Sequence, residues 1–386
     1  MKFFKRLLIV LAGLFILLIA FIGTTWHNEI ATISSIKTII NQDLSHDDGY
    51  TYEMEVAGDY YFDDFLAQGG VKSDDELISF ITGNITKGLI PMTIETKEIA
   101  CSSFTAWTKD NDFLFGRNYD FDQTNTAIVH TNPGNGRHAS ISTIDLQFIG
   151  IKEEIGIQNI KDKVLLLAAP YIPLDGINDA GLAVGIYMTY QGEPTVPTAQ
   201  NTDLPDITCT TFIRLLLDYA DDVDEAIALA KQYDMHDSAG TSYHFMVADK
   251  NGNSAILEWV GETDLTDNDG SKRTLKVTRN EKPYQVVTNF IVQEGYYDDM
   301  KNAKGFDRYT YLENQLAPTN GVVEDEKAAM DLLAGVGRRT WVVEGDATMG
   351  TTVHSAVYNT NKLTSYWIAN EHFDSAEHTF HYDLNK

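Results

Sequence analysis

A cysteine with the surroundings of a nucleophile stands about a hundred residues into the chain, in the segment "CSSFTAWT" that begins at Cys101. The sequence contains two cysteines, Cys101 and Cys209, which excludes a disulfide framework and a four-cysteine zinc site. A single bridge between them stays open. A lone cysteine is more often a small core residue than a nucleophile, and Cys209, in "ITCTTF", fits that core interpretation.

Cys101 differs from Cys209 because charged residues are expected beside it. The segment "FLFGRNYDF" follows the turn "KDND", so we expect a β-hairpin that brings Arg117 and Asp120 next to Cys101. A cationic neighbour lowers the pKa of a thiol, and a carboxylate can hold an amine. Farther along the chain, "VVTNF" offers Asn289 and "GFDRY" offers Arg308.

Taken together, these segments resemble the choloylglycine hydrolase and acid ceramidase family of N-terminal-nucleophile (Ntn) hydrolases, which act on linear amides. The family includes penicillin V acylase, bile salt hydrolase and N-acylethanolamine acid amidase. The resemblance runs from about Cys101 to the C-terminal hairpin and rests on "CSSF", "FGRNYDF", "VVTN" and "DRY", in that order. It implies an α+β fold, a four-layer αββα sandwich with antiparallel sheets, and autocatalytic cleavage of the Ala100–Cys101 bond. It implies neither a cofactor nor a metal.

The resemblance also assigns a role to each candidate catalytic residue. Cys101 would be the nucleophile, and its freed α-amino group, with a usual pKa of about 7.7–8.0, would be the base near neutral pH. Arg117 would stabilise the thiolate and orient the substrate, and Asp120 would hold the amine. Asn289 would donate a hydrogen bond to the oxyanion, and Arg308 would brace the site.

Substrate-binding residues are expected on the strand after the "AGL" turn, where the family often carries a further polar or acidic residue. Here that strand reads "GLAVGIYMTYQGE" and offers Met188, Thr189 and Tyr190. The best-aligned positions, Met188 and Thr189, are neither the Asn of bile salt hydrolases nor the Glu of acid ceramidase. We therefore expect either a backbone amide as the second oxyanion donor or a different substrate preference.

The N-terminal segment predicts export from the cytoplasm. A basic flank, "MKFFKR", precedes the uncharged run "LLIVLAGLFILLIAFIG", which is near the lower limit of about 17–25 residues for a membrane span. No clean small-x-small cleavage site follows, so residues 1–23 are predicted to be an uncleaved signal anchor. The protein would be membrane-anchored with an extracytoplasmic catalytic domain, and a secreted form after signal cleavage is the alternative.

Two further domains are predicted after the anchor. Residues 24–100 have helical character, with a Ser cap and acidic first turn in "SDDELISFITGNI", and this block resembles the propeptide-derived subunit of acid ceramidase. Residues 101–386 would form the Ntn amidohydrolase domain. Within it, "TCTTFIRLLLDYADDVDEAIALAKQY" predicts two helices, and "SYHFMVADKNGNSAILEWV" predicts a hairpin about the "KNGN" turn.

Composition limits the partners. The 386 residues include 29 Lys and Arg against 56 Asp and Glu, a formal net charge of −27, which argues against nucleic acid because phosphate binding needs clustered positive charge. The expected partners are a small acyl amide substrate and a membrane, contacted through the N-terminal segment. A homo-oligomer is left open.

Three other functions remain open at this stage. The chain could be a catalytically silent, membrane-anchored binding protein with the same fold. It could have the specificity of a bile salt or penicillin V acylase. It could also be a metal-dependent hydrolase, because His372, His378 and His381 lie close together near the C terminus, although a partly exposed tail is the commoner explanation of such a cluster.

Overall fold

Two β-sheets lie face to face and carry helices on their outer sides. The computed structural model describes residues 2–85, 88, 100–152, 154–339 and 350–386. The predicted cleavage bond, Ala100–Cys101, therefore lies at the start of a described range, and only the backbone of Ala100 is described.

The helices and strands of the described ranges are as follows. The α-helices are α1 Lys2–Thr25, α2 His27–Ser35, α3 Phe62–Ala67, α4 Asp74–Asn84, α5 Ile160–Leu165, α6 Cys209–Tyr219, α7 Val223–Ala230, α8 Phe306–Leu316 and α9 Glu326–Ala334. The strands are β1 Lys37–Ile40, β2 Thr51–Val56, β3 Ala100–Thr108, β4 Phe113–Phe121, β5 Thr126–Thr131, β6 Ser140–Asp145, β7 Asp175–Asn178, β8 Ala183–Met188, β9 Asp206–Thr208, β10 Asp234–His236, β11 Tyr243–Ala248, β12 Ser254–Gly261, β13 Arg273–Arg279, β14 Val286–Val287, β15 Val322–Val323, β16 Thr351–Asn359, β17 Thr364–Ala369 and β18 Thr379–Asp383. Short 3-10 helices span Leu146–Ile149, Leu166–Tyr171, Gly270–Lys272, Met300–Asn302, Ala317–Thr319 and Ala376–His378.

The larger sheet has nine strands in the order β1-β2-β5-β6-β7-β8-β11-β12-β13. Its neighbouring strands are antiparallel except for β2 and β5, which run parallel. The second sheet has seven strands in the order β14-β3-β4-β16-β17-β18, with β15 also beside β3. Strands β9 and β10 form a separate parallel pair.

Helices cover the outside of both sheets. Helices α6 and α7 pack on the nine-stranded sheet, whereas α8 and α9 pack on the seven-stranded sheet. Polar side chains join the two sheets through the interior, as where Tyr119 on β4 donates a hydrogen bond to Asp145 on β6 at 2.9 Å. This is the predicted four-layer αββα sandwich.

Local sequence signals explain several of these elements. Ser73 accepts a hydrogen bond from the backbone N–H of Glu76 and caps α4, as its sequence predicted. The two helices and the hairpin predicted within residues 207–261 form as α6, α7 and the β11–β12 pair. In the turn of that hairpin, Gly252 has φ +85°, and a Cβ there would lie 2.2 Å from the Trp107 ring, so only glycine fits.

The block before Cys101 is less helical than predicted. It contains α2, α3 and α4, but also β1 and β2, which form one edge of the nine-stranded sheet. In β2 the side chains of Tyr52, Met54 and Val56 are buried, while Glu53 and Glu55 between them are less buried. The sheet and this block therefore share one hydrophobic core.

The N-terminal helix is long and apolar. Phe3–Thr25 has a mean hydropathy of 2.9 in its most apolar window and none of that window is buried. By length and composition α1 could cross a bilayer, and a signal sequence would satisfy the same criteria. Only one residue, Trp26, separates α1 from α2, which packs on the domain.

Tyr60 anchors the first block to the rest of the fold, which gives a stability prediction. Its buried hydroxyl lies 2.7 and 2.8 Å from the two carboxylate oxygens of Asp218 on α6. Tyr60→Phe removes this donor from a buried carboxylate, so the free energy of unfolding should fall by about 1–3 kcal/mol. Urea denaturation measures this decrease in the free energy of unfolding.

The matched control is Tyr61→Phe. The Tyr61 hydroxyl donates to Glu29 at 3.0 Å in a half-buried position, so its loss should cost less, about 1 kcal/mol or under. Equal losses in the two variants would contradict the importance of the Tyr60 contact.

Candidate active site

The pairing of β3 with β4 decides which side chains surround the cysteine. Cys101 lies opposite Tyr119, and Ser103 lies opposite Arg117. Directly opposed residues of an antiparallel pair point to the same face, so all four side chains share one face of the sheet. The burial of Cys101 and Tyr119 in the main core shows that this face points toward the nine-stranded sheet.

The other face of the same strand pair points toward the helices. There Ala100 lies opposite Asp120, and Ser102 lies opposite Asn118. Arg308, from the first turn of α8, reaches this face and donates through Nη1 to Ser102 Oγ at 2.7 Å and to Asp120 Oδ2 at 3.1 Å. Nη1 also donates to the Cys101 carbonyl oxygen at 2.7 Å.

Asn289 completes the group just beyond the end of β14. Its Oδ1 accepts the backbone N–H of Cys101 at 2.8 Å and Arg308 Nη2 at 2.8 Å. Its Nδ2 donates to the Met188 carbonyl oxygen at 2.9 Å. The backbone N–H and C=O of the cysteine are thus both fixed by side chains that the sequence had singled out.

The Cys101 thiol is fully buried, and burial disfavours its charged form. Its exposed fraction is 0%. Burial raises the pKa of the Cys101 thiol, and the charge and hydrogen bond of Arg117 offset only part of this increase. The Cys101 sulfur can act as a thiolate only after it leaves this environment or after a base moves next to it.

Asp120 is held by two donors on the helix side of the sheet. Besides Arg308, the Thr352 hydroxyl donates to its Oδ1 at 2.7 Å. Burial raises the pKa of the Asp120 carboxyl, and these contacts with Arg308 and Thr352 oppose the increase. With residue 100 as its cross-strand partner, Asp120 lies beside the bond predicted to be cut.

The three predicted substrate-binding residues lie at the end of β8, where Met188 is the last strand residue and Thr189 and Tyr190 follow it. Met188 and Thr189 are buried, with 4% and 1% of their surfaces exposed. The Met188 carbonyl accepts from Asn289, and Thr189 bonds to Ser242 through its backbone N–H and its hydroxyl, both at 2.9 Å. Tyr190 is half-buried, has φ +53° and packs its ring 3.5 Å from Lys304 Nζ.

Sequence reasoning missed a buried polar cluster behind Arg117. Asp175 on β7 accepts hydrogen bonds from Arg117, His354 and Tyr358, and all four side chains are about 0–1% exposed. Burial raises the pKa of Asp175, but the His354 and Arg117 contacts outweigh it, so the pKa is lowered overall. The aspartate sits in "DGIN" and the histidine in "TVHSA", where nothing local indicates that they meet.

A second missed pair holds the segment that carries Asn289. His244 Nδ1 lies 2.8 Å from Glu258 Oε1, and its Nε2 lies 2.9 Å from the Thr288 carbonyl oxygen. Glu258 in turn accepts the backbone N–H of Val292 at 2.9 Å. The residues on both sides of Asn289 are therefore fixed to the nine-stranded sheet.

Among the described residues, one group near the C terminus brings potential metal ligands together: Asp48, His372 and His378. His381 is outside this group. Both carboxylate oxygens of Asp48 are engaged, Oδ1 by Arg339 Nη2 at 2.6 Å and Oδ2 by His372 Nε2 at 2.7 Å. The guanidinium already supplies the positive charge that a metal would bring, so this donor set fits an ion pair better than a metal site.

A second such group within the described ranges consists of Asp206, Asp234 and His236. Asp234 accepts the backbone N–H and the hydroxyl of Thr202 at 2.7 and 2.8 Å, and His236 Nε2 lies 2.8 Å from Asp206 Oδ1. These contacts explain the cluster as a local hydrogen-bond network. Neither group shares a residue with the Cys101 site.

A family model covers more than half of the chain. Residues 171–372 match acyl-coenzyme A:6-aminopenicillanic acid acyl-transferase. The chain belongs to this family. The family range includes Asn289 and Arg308 and begins after Cys101. No curated protein sequence matches the chain at a significant level.

Solved structures are similar in fold. A variant of conjugated bile acid hydrolase from Clostridium perfringens superposes with a TM-score of 0.50 at 15% identity, covering 74% of this chain and 93% of the other. Penicillin V acylase from Agrobacterium tumefaciens gives 0.49 at 17% identity, covering 74% and 87%. An N-acylethanolamine-hydrolyzing acid amidase ortholog from Caenorhabditis elegans gives 0.39 at 16% identity, covering 67% and 93%.

The family membership and the fold of the Clostridium protein confirm three predictions. These are the Ntn hydrolase family, the α+β sandwich and the class of enzyme, a hydrolase of carbon–nitrogen bonds in linear amides. The roles of individual residues are a separate question.

Asp145 gives a pH-dependence prediction for the interior beside Cys101. Burial raises the pKa of this carboxyl from 3.8 to about 6, although Thr124, Gln147 and Tyr119 donate hydrogen bonds to it. A raised pKa means that the folded state binds the proton more tightly, so stability is gained as pH falls from above 6 toward 4. Relative to Asp145→Asn, the wild type should gain about 3 kcal/mol over that range, measured by urea denaturation.

The control is Asp264→Asn. Asp264 is exposed, and the Thr266 hydrogen bonds lower its pKa, so wild-type stability relative to this variant should fall slightly on acidification. An Asp145→Asn difference that stays constant with pH would show that Asp145 titrates normally in the folded protein.

Proposed function

We propose that this protein is a cysteine-nucleophile amidohydrolase that cuts a non-peptide linear amide of the N-acyl amine type, after autocatalytic cleavage before Cys101. The observation that supports this proposal most is that several polar side chains surround one residue, Cys101. Asn289 and Arg308 hold the backbone N–H and C=O of Cys101, and Arg117 lies at its sulfur. A core cysteine needs none of these contacts.

Self-cleavage would proceed in two steps. The Cys101 sulfur attacks the Ala100 carbonyl carbon, the carbon–nitrogen bond breaks, and the nitrogen takes up a proton to become a primary amine. Water then hydrolyses the thioester, which returns the thiol and leaves a carboxylate on Ala100. The Asn289 and Arg308 contacts keep the backbone of Cys101 fixed while the bond before it is strained and cut.

Amide hydrolysis would then use the new terminus. The α-amino group of Cys101 takes the thiol proton, and the thiolate attacks the substrate carbonyl to give a tetrahedral intermediate. The α-ammonium group returns that proton to the leaving amine as the intermediate collapses to the acyl-enzyme. Water regenerates the thiol. Arg117 favours the thiolate, and Asp120, across from residue 100, would hold the amine. Asn289 Nδ2 would exchange its bond to the Met188 carbonyl for one to the oxyanion.

A catalytic domain anchored beside a membrane would suit an amphiphilic substrate. Residues 1–23 would be the anchor, residues 24–100 a propeptide-like block that stays packed on the sheet, and residues 101–386 the catalytic domain outside the cytoplasm. Exposed apolar side chains along α1 support the anchor, and the one-residue junction to α2 would hold the domain near the bilayer. Secretion after signal cleavage is the alternative. Penicillin V and conjugated bile acids, named for the similar structures, are alternative substrates for the assay.

Replacing Cys101 tests the nucleophile and the processing together. Wild-type protein should yield two fragments whose masses place the break between Ala100 and Cys101, whereas Cys101→Ala should remain one chain. In a panel of acyl amides, Cys101→Ala should lose at least about 10³-fold in turnover, because the attacking group is gone. Mass spectrometry, N-terminal sequencing and amine release measure these outcomes.

Cys209→Ala is the matched control, because Cys209 is equally buried but lies at the start of α6 with no cationic neighbour among its contacts. It should be cleaved and active like the wild type. Folded wild-type protein with an intact Ala100–Cys101 bond and no amidase activity would favour the catalytically silent binding protein. Activity that chelators abolish would favour the metal-dependent alternative.

Membrane attachment has its own test. Full-length protein should sediment with membranes and be released by detergent but not by salt or alkaline carbonate, because the attachment is apolar. A chain lacking residues 2–25 should be soluble. Release of the full-length protein by salt would contradict a membrane span, and recovery in the medium with a shortened N terminus would show a cleaved signal.

A further inference from the structure

Asp175 is the meeting point of three hydrogen-bond donors between the two sheets. It lies on β7 of the nine-stranded sheet and accepts from β4 and β16 of the other sheet. Arg117 Nε lies 3.3 Å from its Oδ2, His354 Nε2 lies 2.8 Å from the same atom, and the Tyr358 hydroxyl lies 2.6 Å from its Oδ1. Asp175 and Arg117 are both fully buried.

Within the described part of the chain, the Arg117 guanidinium makes a hydrogen bond to one carboxylate, that of Asp175. Nε faces Asp175, and its plane lies over the Tyr187 ring, with Cζ 4.5 Å from the ring centroid. The Tyr187 hydroxyl is itself fixed by a 2.6 Å bond to Ser103. The two terminal nitrogens, Nη1 and Nη2, are buried and have no hydrogen-bond partner among the described residues. The Cys101 side chain lies on the same face of the β3–β4 pair, and, against the effect of burial, its charge raises the pKa of Arg117.

We propose that Asp175 is a positioning residue, which holds the Arg117 guanidinium through Nε so that both terminal nitrogens stay available to the Cys101 sulfur. This inference rests on the proposed function, because Asp175 matters for catalysis only if Cys101 is the nucleophile. Asp175 itself would not touch the substrate or the reacting atoms.

The geometry explains why a carboxylate is used. A guanidinium carries donors on three nitrogens in a fixed plane. Engaging Nε turns that plane and leaves the other two nitrogens for a second partner on the opposite side. Tyr358 and His354 fix the carboxylate in turn, and the His354 ring is packed between Tyr119 and Trp367 at 5.4 and 5.5 Å. These contacts restrict the orientation of the Arg117 guanidinium.

A titration of the thiol tests this proposal without a substrate. The ultraviolet absorbance of the Cys101 thiolate is followed against pH, with Cys101→Ala as the baseline, in wild type and in Asp175→Asn. We expect the Cys101 pKa to rise by about one unit in Asp175→Asn, which is about tenfold less thiolate at a fixed pH. The short-range contact with Arg117 would be lost, and it outweighs the removal of a more distant negative charge.

The control variant is Asp145→Asn, a buried carboxylate of the same interior that does not contact Arg117, and it should leave the thiol titration unchanged. In an Arg117→Lys background the upward shift caused by Asp175→Asn should be absent, since the ammonium group cannot bridge the carboxylate and the sulfur. A downward shift would show that Asp175 only neutralises Arg117, and no shift would show a purely structural residue. Either result overturns the proposal.

Tyr358→Phe, a nearly isosteric change that removes one donor to Asp175, replaces Asp175→Asn if that variant does not fold. It should raise the thiol pKa by a smaller amount in the same direction, and an unchanged titration would then overturn the proposal. The thiol can be titrated in cleaved or uncleaved chain. Failure of the proposed function would appear as an uncut, inactive protein, independently of the direction of this shift.

Discussion

The antiparallel register of β3 against β4 is the constraint on which the site depends. It puts Cys101 and Arg117 on the face toward the interior and Asp120 on the face toward α8. A slip of one residue in β3 would turn the cysteine toward the helices and away from Arg117. The register is held from both edges of the pair, since β16 bonds along β4 and Arg308 bonds to the Cys101 carbonyl and Ser102.

The two faces of the β3–β4 pair surround different parts of Cys101. Arg308, which also bonds to Asp120 on the helix side, and Asn289 hold the backbone of Cys101. On the interior side, the charge of Arg117 acts on its sulfur. Burial on the interior side raises the pKa of the Cys101 thiol, which disfavours the thiolate in the uncleaved chain. The proposed cleavage would create a new terminal amine on a residue whose backbone N–H and C=O are both held by side chains.

The local sequence predicts the residues that the β3–β4 hairpin brings to Cys101, and the order of the family motifs predicts the site residues that are distant in sequence. Arg117 and Asp120 follow from a strand, turn and strand within twenty residues of Cys101, and Asn289 and Arg308 follow from the family resemblance. Asp175 and His354 could not be found, because they meet through the packing of two sheets, which leaves no periodic trace in either segment. The strand β2 was missed although Tyr52, Met54 and Val56 alternate with glutamates, a period-two pattern that indicates a half-buried strand.

The parallel pairing of β2 with β5 has a consequence for the protein after cutting. Six residues of β2, from Thr51 to Val56, occupy the hydrogen-bonding groups of one side of β5. If residues 24–100 dissociated, β5 would become an exposed edge strand that could pair with a strand of another molecule. If the proposed cleavage occurs, the propeptide-like block would therefore protect the edge of the sheet, and its loss would make the catalytic fragment prone to aggregate even with every residue around Cys101 intact.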